Sequence, residues 1–336
     1  MVRLTTLVFS LACSALASPF AKQHGEVHLE RRKIPSLPDA SEAIPHDVGA
    51  ALHDRATTKA NSKPGIICDL TCKACVADAT PKKGKGKSTP RSLAEHKPAL
   101  HERTLDDVED LWGPGKAGAN EYIMHQIESV AGAGDELDWN LIQHDAVSGH
   151  GSWNNRPLRK YIRGLMGCTG IVIVSDKGYW YAHFMETGFL DRGDNWKTKI
   201  IKPLQEGTNK FTLPLSLADR GGILNSANNV KIYVSTPRTR TSTEQNPVLL
   251  YKAKVDELMS HITGRGSPFQ GAQVITKSYL KPQNEAEIET FHNRANGKVL
   301  IEYDNNQLDV NGNQPNPPER MYRIWLEHNS FEHRFR

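Results

Sequence analysis

The chain has 336 residues, of which 38% are hydrophobic and 24% are charged, and its formal net charge at pH 7 is +4. This length allows one large domain or two small ones. The small net charge gives no case for a nucleic-acid-binding protein. Beyond the N-terminus no stretch approaches the ~20 continuous apolar residues of a membrane-spanning helix, so we expect no stable membrane insertion.

Residues 1–17 have the pattern of a secretory signal peptide. Arg3 supplies the positive charge, Leu4–Leu16 the short apolar core, and Ala15 and Ala17 a small-x-small cleavage site. We therefore expect the first 17 residues to be removed and the protein to be secreted into the extracellular space.

Residues 18–104 do not resemble a folded domain. They are rich in Pro, Ala, Lys, Ser and His, contain few aromatic residues and show no sustained hydrophobic period, which is the composition of disordered segments. The dibasic pairs Arg31-Arg32 and Lys82-Lys83 are typical sites for processing proteases. The segment is therefore predicted to be a propeptide or a linker.

The mature chain would keep four of the five cysteines. Cys68, Cys72 and Cys75 form a cluster, and Cys168 stands far from it. Export exposes the chain to an oxidising environment in which disulfides persist. One pair within the cluster leaves either an odd thiol there or a bridge from the cluster to Cys168. A bridge to Cys168 would exclude that residue as a nucleophile.

A single ordered domain is predicted for residues 105–336. Helical spacing predicts helices over 119–131, 156–166 and 286–295, and the segment 248–262 begins β-like and becomes helical. β-branched or aromatic runs predict strands over 171–174, 179–184, 211–217, 230–236, 273–280, 297–303 and 320–327. Few helices among runs of strands indicate an α+β fold with a largely antiparallel sheet or sandwich.

The densest apolar run outside the N-terminus is predicted to be a β-hairpin. Ile171–Val174 form the first strand, Asp176–Gly178 the turn and Tyr179–Phe184 the second strand. Gly178 is expected to adopt a positive φ. A three-residue turn would place His183 opposite Ile171.

Cys168 and His183 lie at the open end of this hairpin. A histidine beside a cysteine lowers the thiol pKa and can move its proton, so the pair is the minimum equipment for thiolate chemistry. In the predicted register the two side chains meet only if a bulge turns one of them. The structural alternative is that both pack in the core, as buried cysteines and histidines often do.

Two neighbouring segments bear on this site. The polar and aromatic loop 144–155, with His144, His150 and Trp153, is a candidate for the rim of an active site. The predicted helix 156–166 would deliver Cys168 near its negative C-terminal end, which does not favour a thiolate. His183 would then have to activate the thiol alone.

Gly167-Cys168-Thr169, the apolar strand that follows and Ala182-His183-Phe184 carry a resemblance. Over residues 164–186 the chain resembles fungal secreted proteins of unknown role and the glutamine deamidase superfamily of the cytotoxic necrotizing factors and chemoreceptor deamidases. In that family a cysteine at the head of one strand and a histidine in a neighbouring strand form the catalytic dyad. The resemblance implies that Cys168 and His183 are catalytic, within a β-sandwich-like core flanked by helices.

The resemblance leaves the third catalytic group unassigned, because Thr169 is adjacent to the cysteine and not placed to orient His183. It implies a secreted toxin or effector that forms a thioester on a glutamine of a partner protein, as a deamidase or a transglutaminase-like enzyme. Such chemistry needs no cofactor and no metal. The alternative is a secreted, non-catalytic effector or binding protein in which Cys168 and His183 are structural.

Overall fold

The computed structural model describes residues 105, 108–132, 134–138, 145–190, 194–307 and 313–336. The predicted signal peptide 1–17 and the segment 18–104, with Cys68, Cys72 and Cys75, lie outside the described residues. All described residues belong to one compact unit. Within these ranges no helix has the length and apolar character needed to cross a membrane.

The described residues form seven α-helices and nine β-strands. The helices are α1 (Val108–Trp112), α2 (Gly115–His125), α3 (Glu186–Leu190), α4 (Asp194–Trp196), α5 (Lys202–Glu206), α6 (Lys252–Thr263) and α7 (Glu285–His292). The strands are β1 (Ala146–Ser152), β2 (Leu158–Ile162), β3 (Thr169–Val174), β4 (Gly178–Phe184), β5 (Lys231–Arg238), β6 (Gln273–Leu280), β7 (Val299–Gln307), β8 (Glu319–Leu326) and β9 (Asn329–Phe335). Short π-helical turns follow α2 and precede α5 (Gln126–Val130 and Lys197–Ile201), and 3-10 turns lie at Leu215–Leu217 and Ser226–Asn228.

The strands form two sheets that pack face to face. The first sheet has the order β1-β4-β3-β5-β6, and the second has the order β2-β7-β8-β9. Every pairing is antiparallel except that of β5 with β6. Residues from the inner faces of both sheets form one hydrophobic cluster, which includes Val172, Tyr181, Ile301 and Ile324. The predicted α+β fold with a mostly antiparallel sandwich core is confirmed.

Helices cover the outer faces of both sheets. The outer face of the first sheet packs against α6 and residues 196–204, and Ile171, Ile173 and Trp180 belong to the same hydrophobic cluster as Leu258. The outer face of the second sheet packs against α2, whose Tyr122 donates a 2.6 Å hydrogen bond to the buried carboxylate of Glu302. Because both faces of the first sheet are covered, every residue of β3 and β4 is buried.

The predicted hairpin is present, but its turn is one residue shorter than expected. Val174 pairs with Tyr179, so His183 lies opposite Gly170 and not opposite Ile171. The Oγ of Ser175 accepts hydrogen bonds from the N–H groups of Lys177 and Gly178, at 3.0 and 3.2 Å, which closes the tighter turn.

The positive φ predicted at Gly178 is wrong, because this residue begins β4 in an extended conformation. A Cβ at Gly178 would lie 2.4 Å from the carbonyl oxygen of Gly151. The glycine is required by this close approach of β1 and not by the backbone dihedral angles of the turn.

The predicted helix over 156–166 is also wrong, since Leu158–Ile162 form β2 and pair with β7. Leu158 and Ile162 join the inner cluster and Tyr161 the outer one, which is the two-residue period of a strand. Burial on both sides of a sheet outweighs the weak helical preference of this short sequence. Cys168 therefore does not follow the C-terminal end of a helix.

Three further differences concern strands. Residues 211–217 form no strand, and Pro214 instead precedes the 3-10 turn Leu215–Leu217. The loop predicted over 144–155 contains edge strand β1, in which a Cβ at Gly149 would lie 2.6 Å from the ring of Tyr181. The glycines of β1 therefore make room for aromatic rings. Strand β9 was not predicted, because polar residues alternate along its exposed face.

Candidate active site

The hairpin register places Cys168 and His183 on the same face of the first sheet. Cys168, Val172 and Tyr181 belong to the cluster between the two sheets, and His183 shares that face because it lies two residues beyond Tyr181. Cys168 lies one residue before β3 and His183 opposite Gly170. Continuing the register of β3 makes the two residues diagonal neighbours, so no bulge is needed to bring them to one face.

The backbone between the two residues is covered by an apolar side chain. A Cβ at Gly170 would lie 3.0 Å from Cδ1 of Leu165. Leu165, Cys168 and His183 are all fully buried. The site is therefore shielded from water, and any charge formed there interacts strongly with its neighbours.

Cys168 is disulfide-bonded. A sulfur in a disulfide is not a nucleophile, because the reactive species is the thiolate. Cys168 therefore cannot act as a nucleophile in this oxidised form of the protein.

Burial lowers the pKa of His183 to about 3. Desolvation penalises the imidazolium, so His183 is neutral at neutral pH while Cys168 carries no negative charge. A thiolate at Cys168 would favour the imidazolium and oppose this effect.

The hydroxyl of Tyr279, on β6, fixes the backbone at Cys168. It accepts a 2.9 Å hydrogen bond from the N–H of Gly167 and donates a 2.5 Å hydrogen bond to the carbonyl oxygen of Cys168. Burial raises the pKa of Tyr279 well above its usual value, so the hydroxyl keeps the proton that it donates. Gly167 has a φ of +124°, a conformation that favours glycine.

A buried carboxylate packs against the other side of this turn. The carboxyl group of Glu186, at the start of α3, is 0% exposed and lies 2.6 and 2.7 Å from Nζ of Lys281. The hydroxyl of Tyr251 donates a hydrogen bond to the same carboxylate. A Cβ at Gly167 would lie 2.4 Å from Cδ of Glu186. Gly167 is therefore held between Tyr279 and Glu186.

The sequence did not reveal these supporting residues. In the sequence, Tyr279 lies 112 residues from Gly167, and Lys281 lies 95 residues from Glu186. Only the pairing of β3, β5 and β6 brings these side chains to the site. The resemblance likewise pointed only to residues 164–186. The sole local signal is Glu186, a charged residue two positions after the end of a strand that is buried along its whole length.

The predicted rim does not surround Cys168. His150 pairs with Trp180, and Nε1 of Trp153 donates a 2.7 Å hydrogen bond to the carbonyl oxygen of Ser175, so both lie toward the turn of the hairpin. His144 lies outside the described residues. The rim prediction is wrong for His150 and Trp153, because the segment is an antiparallel strand that runs away from the site.

Thr169 faces the opposite side of the sheet from His183. Its Oγ1 lies 2.9 Å from Oγ1 of Thr236, and the neighbouring residue Ile171 belongs to the helix-covered cluster. Thr169 therefore does not orient the imidazole, and the third catalytic role remains unassigned.

The chain matches no family model and no curated protein. Within the described ranges no group of His, Cys, Asp or Glu side chains could hold a metal ion. The groups present at this site are the sulfur of Cys168, the imidazole of His183 and the buried backbone turn at Gly167.

Proposed function

We propose that the thiol form of this protein is a secreted Cys–His enzyme, a deamidase or transglutaminase-like toxin or effector that acts on a glutamine side chain of a protein. The observation that carries the proposal is the register of β4. With His183 opposite Gly170, its imidazole shares a face with Cys168 as a diagonal neighbour. The signal-like N-terminus supports the secreted location.

The reaction uses Cys168 as the nucleophile and His183 as the proton carrier. Neutral His183 takes the thiol proton, and the thiolate attacks the carboxamide carbon of the glutamine. The imidazolium gives this proton to the departing ammonia, and a thioester remains. Water, deprotonated by His183, then releases glutamate and restores the thiol. If a lysine amine replaces water, the product is a cross-link.

A second candidate is a secreted binding protein without catalysis, in which Cys168 and His183 are structural. The disulfide at Cys168 and the full burial of both side chains favour it. Fully buried cysteine and histidine are common in cores. In this candidate the turn at Gly167 is a packing feature and reduction releases no activity.

Mass spectrometry of reduced protein with glutamine-containing proteins separates the two candidates. The full chain is treated with a dithiol reductant and incubated with a panel of such proteins, including casein, whose intact masses are then measured. Deamidation adds about one dalton for each amide hydrolysed. The gain should vanish in Cys168→Ser and His183→Ala.

The matched control is His150→Ala, which removes a histidine from the far half of the first sheet. It should leave the mass gain unchanged. If folded, reduced protein gives no mass gain and no cross-link on any member of the panel, the enzyme proposal fails and the binding role is favoured.

A further inference from the structure

Each sheet ends in two edge strands: β1 and β6 flank the first sheet, and β2 and β9 flank the second. An uncovered edge offers backbone N–H and C=O groups to another strand, so folded proteins cover their edges or line them with charged side chains. Strand β2 is covered, because the backbone of Tyr161 bonds to Asp135 at 2.9 Å and to Leu137 at 3.3 Å. Strand β9 carries exposed charges at Glu332 and Arg334.

Strand β6 has neither kind of protection. Among the described residues it pairs only with β5. Val274 is 41% exposed, Leu280 is also exposed, and the one charged residue of the strand, Lys277, lies over an aromatic ring of β9. The other edge of this sheet, β1, exposes no large apolar side chain, and the N–H of Thr212 lies 2.9 Å from Oγ of its residue Ser148.

The hydrogen bonds of β5 show which groups of β6 point to the free edge. The carbonyl oxygen of Pro237 accepts a 2.9 Å hydrogen bond from the segment 248–250, on the side of β5 away from β6, so the backbone of the preceding residue Thr236 faces β6. In a parallel pair such a residue bonds to the two neighbours of its partner, and the partner of Thr236 is Ser278. The N–H and C=O groups of Ser278, and of every second residue before it, therefore point to the free edge.

Two arginines occupy the C-terminal end of this edge. Nη1 of Arg238 donates a 2.6 Å hydrogen bond to the carbonyl oxygen of Ser278. Nη2 of Arg240 lies 3.4 Å from the carbonyl oxygen of Lys281. The open part of the edge is therefore the N-terminal half of β6, over residues 273–277.

We propose that residues 273–277 pair with the same residues of a second copy of this chain, antiparallel about a two-fold axis, so that two first sheets join into one ten-stranded sheet. The axis passes beside Ile275, and Val274 and Thr276 of one copy pair with Thr276 and Val274 of the other. These pairs form about four backbone hydrogen bonds between the copies. An axis beside Thr276 would use the carbonyl oxygen of Ser278, which an arginine already holds.

In this register β6 is complementary to itself. Ile275 meets Ile275 of the second copy, and Val274 lies opposite Thr276, so the closest cross-strand pairs are β-branched. Lys277 lies opposite Gln273, so no two like charges face each other. The contact also covers the exposed side chain of Val274. These features favour a second copy over a foreign strand as the occupant of the edge.

The contact is small, because it consists of one strand pair and the side chains beside it. Small interfaces are weak, and we expect a dissociation constant on the order of 10 µM. Strand β5 separates β6 from β3, which follows Cys168, so the pairing leaves the candidate site outside the interface. The inference is therefore independent of the proposed enzymatic activity.

Sedimentation velocity of the full chain tests the inference, at concentrations from about 1 to 200 µM. The wild type should change from monomer to dimer over this range. Val274→Lys places a charge on the open edge and should weaken the dimer at least about tenfold. The matched control is Val248→Lys, because Val248 is 58% exposed and lies outside β6. It should associate as the wild type does.

Thr276→Pro tests the direction of the backbone groups. Proline is tolerated in an edge strand where its missing N–H would face solvent. The variant should therefore melt within a few degrees of the wild type but remain a monomer at about 200 µM. If this variant does not fold, Val274→Lys alone decides.

A cross-link tests the register. Residues that face each other without backbone hydrogen bonds lie close enough for a disulfide, so oxidised Ile275→Cys should give a peptide linked from position 275 to position 275 of a second copy. Ser330→Cys, on the exposed face of edge strand β9, is the control and should give no such link. A monomer at every concentration overturns the inference, and so does a dimer that persists in Val274→Lys.

Discussion

The hydroxyl of Tyr279 and the carbonyl oxygen of Cys168 lie 2.5 Å apart, in a hydrogen bond that crosses the full width of β5. The same hydroxyl accepts the N–H of Gly167. One side chain from an edge strand thereby satisfies the two backbone groups that the turn before β3 presents to it. These two hydrogen bonds of Tyr279 hold the backbone that carries the sulfur of Cys168.

Tyr279→Phe should therefore destabilise the protein by about 1–3 kcal/mol, because it leaves a buried N–H and a buried carbonyl oxygen unpaired. Chemical denaturation measures the loss. The control is Tyr303→Phe, because the buried hydroxyl of Tyr303 has no hydrogen-bond partner among the described residues. That control should be neutral or slightly stabilising. Equal losses of stability in the two variants would contradict the role of the two Tyr279 hydrogen bonds.

Gly167→Ala should cost about 3 kcal/mol or more, since both its φ of +124° and the nearby carboxylate of Glu186 oppose a Cβ. Gly271 has a φ of +82° but no atom within 4 Å of an added Cβ. Gly271→Ala should therefore show only the backbone cost of about 1–2 kcal/mol. Urea denaturation measures the stability of both variants, and the difference between their losses is the cost of the clash between the new Cβ and Glu186. A smaller loss at Gly167 than at Gly271 would show that Glu186 does not pack on the turn.

Lys281→Met should destabilise the protein by about 3 kcal/mol, because the carboxylate of Glu186 is 0% exposed and would lose its cation. The control is Lys252→Met, whose partner Asp256 is 58% exposed. Its loss should be below about 0.5 kcal/mol. In the double variant Lys281→Met/Glu186→Gln much of the stability should return. The prediction is contradicted if the double variant is no more stable than the single one.

The sequence predicted most strands of the first sheet, but it did not predict the residues that contact the candidate site. Strand β6 was predicted with its observed bounds and β5 within two residues of its observed end, because both are rich in β-branched and aromatic residues. Strand β2 was missed because Leu158–Ile162 is too short for its two-residue period to override a helical interpretation. Only pairing with β7 decides between the two.

The candidate site was likewise predicted only in part. Cys168 and His183 could be named from local sequence, but their register depended on one turn residue, and a slip of one residue moves a side chain to the other face. The hydrogen bonds of Ser175 fix that turn. Tyr279 and Lys281 reach the site through strand order, which local patterns do not encode. The bridge at Cys168 was an open alternative in the sequence and is present in the structure.

Glu327 should make the protein less stable as the pH rises from about 4.5 to about 7. Burial raises the pKa of Glu327 from 4.5 to about 7, so the folded state favours the protonated acid. The stabilisation is complete below pH 4.5 and is lost as the pH passes the folded value, amounting to a few kcal/mol. Glu327→Gln should gain stability relative to wild type over this range, as measured by denaturation at each pH. A constant difference would contradict the shift.

His183 should make the protein less stable as the pH falls, which is opposite to the effect of Glu327. Burial lowers the pKa of its imidazole from 6.5 to about 3, so the folded state favours the neutral ring while the unfolded chain binds a proton below pH 6.5. Its stabilisation is therefore present above pH 6.5 and is lost as the pH falls toward 3, by up to about 4–5 kcal/mol. Between pH 4.5 and 6.5 this slope opposes that of Glu327, and the two largely cancel in the oxidised wild type. His183→Gln should remove the acid loss, so that its stability relative to wild type rises as the pH falls. If oxidised His183→Gln runs parallel to wild type from pH 7 to 4, the imidazole titrates normally in the folded state and is not sealed beside Cys168.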